Sequence, residues 1–123
     1  MIGYVTLGTN DLPRAAAFYD ALLAVIGAKR MMDFGRGYAY GHSMEACGLG
    51  IMLPFDGQPA TVGNGVMPAI QCKNRSEVDA VYAKAMALGG SDEGAPGPRG
   101  EGGFYAAYFR DLDGNKLNAF CMG

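Results

Sequence analysis

The chain repeats itself. Laying Tyr4 on Met67 also lays Ala17 on Ala80, Tyr19 on Tyr82, Ala24 on Ala87 and Gly27 on Gly90. Asp11 falls on Asn74 in the same alignment. Segment 4–28 reads YVTLGTNDLPRAAAFYDALLAVIGA, and segment 67–91 reads MPAIQCKNRSEVDAVYAKAMALGGS. Identities are few, but the order of signals is shared: short strand, polar turn, helix, glycine stop. A repeated unit of this kind cannot cover its own apolar face, so the copies must pack on one another. We read one domain of two modules, residues 1–56 and 64–123, joined by the turn-rich Asp56-Gly57-Gln58-Pro59.

Within each module the signals are local. Val5–Leu7 reads as a strand. Asn10 or Asp11 is a helix N-cap, and Pro13 sits near the first helical position, where its missing N–H costs nothing. Ala15, Phe18, Tyr19, Leu22 and Ile26 follow at helical spacing until Gly27 stops the helix. In the second copy Asn74 or Ser76 caps a helix carrying Val78, Val81, Tyr82, Ala85, Met86 and Leu88, and Gly89-Gly90 ends it. Strand-like runs follow each helix: 30–34, 37–40 and 49–53, then 105–110 and 116–122. Asp113-Gly114 between the last two is a hairpin signal. Residues 91–103 hold five glycines and two prolines, and read as a loop. The pattern per module is βαβββ, and two modules would form one sheet with helices on its outer face.

Composition narrows the partners. Ten basic and twelve acidic residues give a net charge of −2, with no basic stripe, so nucleic acid is not expected. No apolar run approaches the roughly 18 residues of a membrane span. Met1 leads straight into a strand-like segment without a basic stretch, so no secretory leader is expected and a cytoplasmic setting is. Cys47, Cys72 and Cys121 have no metal-like spacing and lie in apolar stretches, which predicts buried, reduced thiols.

Three stretches carry a resemblance. They are residues 5–12 (VTLGTNDL) followed by Phe18-Tyr19, residues 75–90 with their double-glycine end, and residues 105–118 (YAAYFRDLDGNKLN). In this order the chain resembles the vicinal oxygen chelate superfamily, which includes glyoxalase I, bleomycin-resistance proteins and extradiol dioxygenases. Leu112 stands where that family usually has proline. The resemblance implies an α+β fold: two βαβββ modules forming a cupped mixed sheet around a cavity, helices outside, often completed in a homodimer. In metal-dependent members, strand ends supply a His or Gln, a Glu, a second His and a second Glu. Carried over one at a time, these positions fall on Tyr4, near Met52, on Met67 and on Asn118. A neutral phenol, two thioethers and an amide are poor ligands for the hard divalent ions of such sites, and one histidine, His42, cannot make a two-His set. The resemblance therefore implies a member without a metal, and no cofactor is expected.

Period-2 alternation then sorts the strands. Val5, Leu7, Leu49, Ile51, Leu53, Ile70, Cys72, Leu117 and Ala119 pack under the helices. Tyr4, Thr6, Met52, Met67, Ala69, Gln71, Asn118 and Phe120 face the cup. Tyr4, Met52, Met67, Asn118 and Phe120 are the candidate ligand-binding residues, suited to a small, apolar or aromatic molecule with a polar handle. Three functions stay open: a metal-independent binding protein; a glyoxalase-like lyase or isomerase using Tyr4 as acid, Asn118 as carbonyl orienter and His42 as base; and a structural dimer whose cup is filled by its own side chains. One of Tyr105 and Tyr108 must face the cup; alternation does not say which.

Overall fold

The computed structural model describes all 123 residues. The first module is β1 (Tyr4–Gly8), α1 (Leu12–Ala24), β2 (Lys29–Asp33), β3 (Gly37–Gly41) and β4 (Gly48–Met52). The second is β5 (Ala69–Gln71), α2 (Arg75–Ala87), β6 (Ser91–Pro98), β7 (Phe104–Arg110) and β8 (Lys116–Met122). The architecture is α+β, two βαβββ modules as the repeat predicts. The modules do not merge into one sheet within the chain. They form two four-stranded mixed sheets, ordered β1-β4-β3-β2 and β5-β8-β7-β6. Each contains one parallel pair, β1 with β4 and β5 with β8.

The helices start where side-chain acceptors can satisfy free N–H groups. The Arg14 N–H donates to Asp11 Oδ1 at 3.1 Å, and the Glu77 N–H donates to Asn74 Oδ1 at 2.9 Å. Asp11 and Asn74, the paired positions of the repeat, are thus the caps. Helix α1 buries Phe18, Tyr19, Leu22 and Leu23, and α2 buries Val78, Val81 and Ala85. With Leu7, Tyr40, Ile51, Ile70, Phe109, Leu117 and Ala119 they form one core spanning both modules. No helix is long and apolar enough to cross a membrane.

Three further expectations are corrected. Residues 91–98 are not loop but β6, an edge strand with two register shifts against β7. An edge strand tolerates glycine and proline because one side of its ladder is unpaired. Leu53 lies beyond the end of β4 and is exposed, so it does not pack under a helix. Cys72 and Cys121 are buried, but Cys47 is exposed, because it ends the β3–β4 turn instead of sitting in a strand.

The hairpin turn at 111–115 does more than reverse the chain. Asp111 is 6% exposed and stays satisfied by four donors. Its Oδ1 accepts the Asp113 and Asn115 backbone N–H groups, both at 2.9 Å. Its Oδ2 accepts the Tyr19 hydroxyl at 2.6 Å and Asn115 Nδ2 at 3.0 Å. Asn115 Nδ2 also donates to the Gly8 carbonyl at 2.9 Å, and the Asn10 N–H donates to Asp113 Oδ1 at 3.0 Å. The turn of the second module is thereby latched onto β1 and α1 of the first. Burial, and then the Asp111 carboxylate, holds the Tyr19 phenol well above its ordinary 10.0, so it remains a donor.

Candidate functional site

Directly opposed residues share a face of a sheet, so the register assigns every strand position to the helix side or to the cup. In the first sheet the helix side carries Leu7, Tyr40 and Ile51, all buried. The cup side is rich in glycine. Tyr4 lies opposite Gly48, Thr6 opposite Gly50 and Gly8 opposite Met52; Ala39 and Gly37 continue the rows onto β3. Five glycines, Gly8, Gly37, Gly41, Gly48 and Gly50, thus occupy this face. Two side chains lie across this strip. A Cβ on Gly50 would stand 3.0 Å from Thr6 Cγ2 and 3.5 Å from Met52 Cε, and one on Gly37 would strike the Met52 sulfur.

The register also separates Tyr4 from Met52. The residue opposite Tyr4 on β4 is Gly48, not Met52, which lies four residues further along the strand. Spacing from the sequence could suggest which strand supplies a group, but not its pairing. In the second sheet Asn118 lies opposite Ala69 on β5, and its N–H donates to the Pro68 carbonyl at 3.1 Å. Nowhere do three His, Cys, Asp or Glu side chains converge. A phenol, two thioethers and an amide at the four positions do not fit a hard divalent ion, nor would Gly48 in place of Met52.

The cup side of the second sheet is furnished instead. Asn118 faces Tyr108, Phe120 faces Ala106, and Phe104 stacks on Phe120 with ring centroids 5.6 Å apart. Tyr108 is therefore the tyrosine that faces the cup. Tyr105 turns to the helix side, where its hydroxyl donates to Asp79 at 2.6 Å. Asn118 is 2% exposed, and its Oδ1 has no hydrogen-bond partner. Arg99, a residue that the sequence offers as able to reach an anionic ligand, and Lys116, which no motif singles out, both stand over the Tyr108 ring, at 5.4 and 5.8 Å. The signal that could have found them is period 2, which puts Lys116 on the face of Asn118.

The candidate residues are not gathered into one cavity of the single chain. Met52 and Thr6 line a cleft of about 420 Å³ with Arg36, Leu53 and Phe55. Met67 lines a larger cleft of about 1040 Å³ between the modules, with Val5, Leu49, Ile70, His42 and Cys72. Tyr4, Asn118 and Phe120 line neither. Tyr4 is 68% exposed and Met67 38%, so both present their side chains outward. His42 is exposed on the β3–β4 turn and shares no cavity with Tyr4 or Asn118. Cys72, in the larger cleft, is no nucleophile at neutral pH: burial pushes its thiol up to about 12.

A fold of paired βαβββ modules with cup-facing strands defines a class, and the comparisons agree with it. The model of the Glyoxalase/Bleomycin resistance protein/Dioxygenase superfamily matches residues 1–119. The chain belongs to this superfamily. Among solved structures it is similar to a glyoxalase/bleomycin resistance protein from Albidiferax ferrireducens, at 38% identity and a TM-score of 0.91, covering 100% of this chain and 99% of that one. It is also similar to a hypothetical protein from S. aureus, at 25% identity and a TM-score of 0.73, covering 98% and 92%. A fosfomycin resistance protein from Listeria monocytogenes shares the fold at 21% identity and a TM-score of 0.71, covering 98% and 92%. No curated protein matches the chain.

Proposed function

We propose that this protein is a metal-independent small-molecule-binding member of the superfamily, with its ligand held against the cup-facing strands and the cup completed in a homodimer. One observation carries the reading: Tyr4, Met52, Met67 and Asn118, on which the family's ligand positions fall by resemblance, include no carboxylate or imidazole, while the cup side of the second sheet keeps stacked aromatics and a buried amide oxygen without a partner. Such a surface suits an apolar or aromatic molecule with one polar handle. The dimer is supported by the exposed apolar side chains of Tyr4, Phe34, Phe55, Met67 and Met122, which a single chain leaves in water.

The test is a thermal-shift and calorimetric screen of small aromatic molecules, run once in EDTA and once with added Ni²⁺ or Zn²⁺. The expected result is saturable binding in EDTA, unchanged by metal, to a protein that sediments as a dimer. Binding only after metal addition, or turnover of a thiohemiacetal substrate that depends on metal, would overturn the reading.

A further inference from the structure

We infer that the cup face of the second sheet is built for an organic anion: an aromatic acid whose carboxylate or comparable acidic group lies beside a hydroxyl. This rests on the metal-independent reading above and names the ligand class for that site. Three independent features meet on one face. The first is charge. Arg99 and Lys116 both stand over the Tyr108 ring, one from each neighbouring strand side. Neither has a carboxylate within ion-pair distance, as is also true of Lys29, Arg36, Arg75 and Lys84, but these two alone converge on one aromatic ring. Glu93, the acidic residue nearest in sequence to Gly94, is held by Arg110 at 3.2 Å.

The second feature is space. Gly94 lies opposite Tyr108 on β6. A Cβ there would stand 3.1 Å from Tyr108 Cδ1 and 3.3 Å from Arg99 Nη2. The missing side chain lets the guanidinium fold back over the ring. Arg99 is held in that place by Nη2 donating to the Ala95 carbonyl at 2.7 Å and Nη1 to the Pro98 carbonyl at 3.4 Å. A guanidinium has five N–H donors, so three remain for an acidic group.

The third feature is the orphan. Asn118, opposite Tyr108 and two residues from Lys116, keeps a buried Oδ1 with no partner. A buried acceptor left unpaired costs free energy that a ligand donor would recover. A hydroxyl meets this need whichever way the amide is turned, because it both donates and accepts. On the far side of Asn118 the Phe104–Phe120 stack offers a flat apolar surface for a ring. Cation pair, orphaned amide and aromatic stack thus follow one another along β8, and they ask for an acid group, a hydroxyl and a ring in that order.

The test uses the full-length protein in EDTA, titrated calorimetrically with mandelate and 3-phenyllactate as probes. Phenylacetate, which lacks the hydroxyl, and methyl mandelate, which lacks the charge, are the comparisons. We expect both hydroxy acids to bind, and each comparison compound to bind at least tenfold more weakly. Arg99→Gln and Lys116→Gln should each weaken mandelate at least fivefold and leave methyl mandelate unchanged. Asn118→Leu should erase the preference for mandelate over phenylacetate while the protein stays folded, a change that a purely structural asparagine would not produce. No binding of either hydroxy acid, or equal affinity for mandelate and methyl mandelate, overturns the inference. Binding of neutral aromatics without preference for the acids overturns it and leaves the metal-independent reading standing. Binding that needs added metal overturns both.

Discussion

The two modules agree on the face that meets the helix and differ on the face that meets the cup. Under the helices the copies match in kind: Leu7, Tyr40 and Ile51 in one, Ile70, Phe109 and Leu117 in the other, all buried. Toward the cup, the first sheet presents five glycines, Gly8, Gly37, Gly41, Gly48 and Gly50, beside Tyr4, Thr6, Met32 and Met52, where the second presents Phe104, Tyr108, Lys116, Asn118 and Phe120. The inner face answers to packing density, which penalises any change of volume, so repeated modules stay alike there. The cup face is free of that demand and records what each module is for. One has become a floor, and the other holds the groups that can select a ligand.

Four changes would break or sharpen this comparison. The largest effect is expected where the halves are joined. Asp111→Ala strands the Tyr19 hydroxyl, the Asn115 amide and two backbone N–H groups, and should cost about 3–4 kcal/mol in urea unfolding. A loss under 1 kcal/mol would show that packing alone joins the modules. Next comes the floor itself. A Cβ on Gly37 would meet Met52 Cα at 2.8 Å as well as the Ile51 carbonyl, so Gly37→Ala should destabilise by about 2–3 kcal/mol. At Gly41 a Cβ meets nothing nearer than 3.7 Å, and Gly41→Ala should instead stabilise by about 0.5 kcal/mol. Equal effects at the two positions would mean that the floor is not shaped by close approach.

On the furnished face, Asn118→Leu removes an unsatisfied buried oxygen and should raise stability by about 1–2 kcal/mol. A lowered melting temperature would mean that Asn118 is already satisfied in the folded protein. The smallest change concerns the thiols. At pH 8 one equivalent of a thiol reagent should be consumed quickly, at exposed Cys47, while Cys72 and Cys121 react only on unfolding. Cys72 also sets a sign for alkaline stability. Its ordinary 9.0 in the unfolded chain rises to about 12 when folded, so the folded state binds the extra proton between those values. Stability should fall as pH rises through that window. A flat profile from pH 9 to 11 would count against the burial of this thiol.

Much of this was legible before any coordinates. The repeat, the capping residues Asp11 and Asn74 and the final hairpin are all local signals, written in spacing and turn chemistry. Strand β6 was not legible, because Gly94, Pro96, Gly97 and Pro98 read as loop residues, and only its place at the sheet edge makes them strand. The candidate site was half legible. Alternation puts Tyr4, Met52, Asn118 and Phe120 on the cup side, but it cannot supply register, so it does not report that Tyr4 lies opposite Gly48 and four residues away from Met52 along β4. Arg99 and Tyr108 meet only because Gly94 faces Tyr108 across a bulged ladder, and no spacing rule reports that. The Asp111–Tyr19 bond joins residues 92 positions apart, beyond the reach of any local pattern.

The two tyrosines of the repeat carry a consequence for how such a chain can be inherited. Tyr82 spends its hydroxyl inside its own module, on Asp92 at 2.9 Å, whereas Tyr19 gives its hydroxyl to the turn of the other module. The equivalent turn of the first module, His42 to Cys47, is exposed. Two interchangeable halves would make reciprocal bonds, and these are one-directional. Neither half can be replaced by a second copy of its twin without leaving a buried carboxylate or a buried phenol without its partner. The asymmetry of these bonds fixes which half stands in which place.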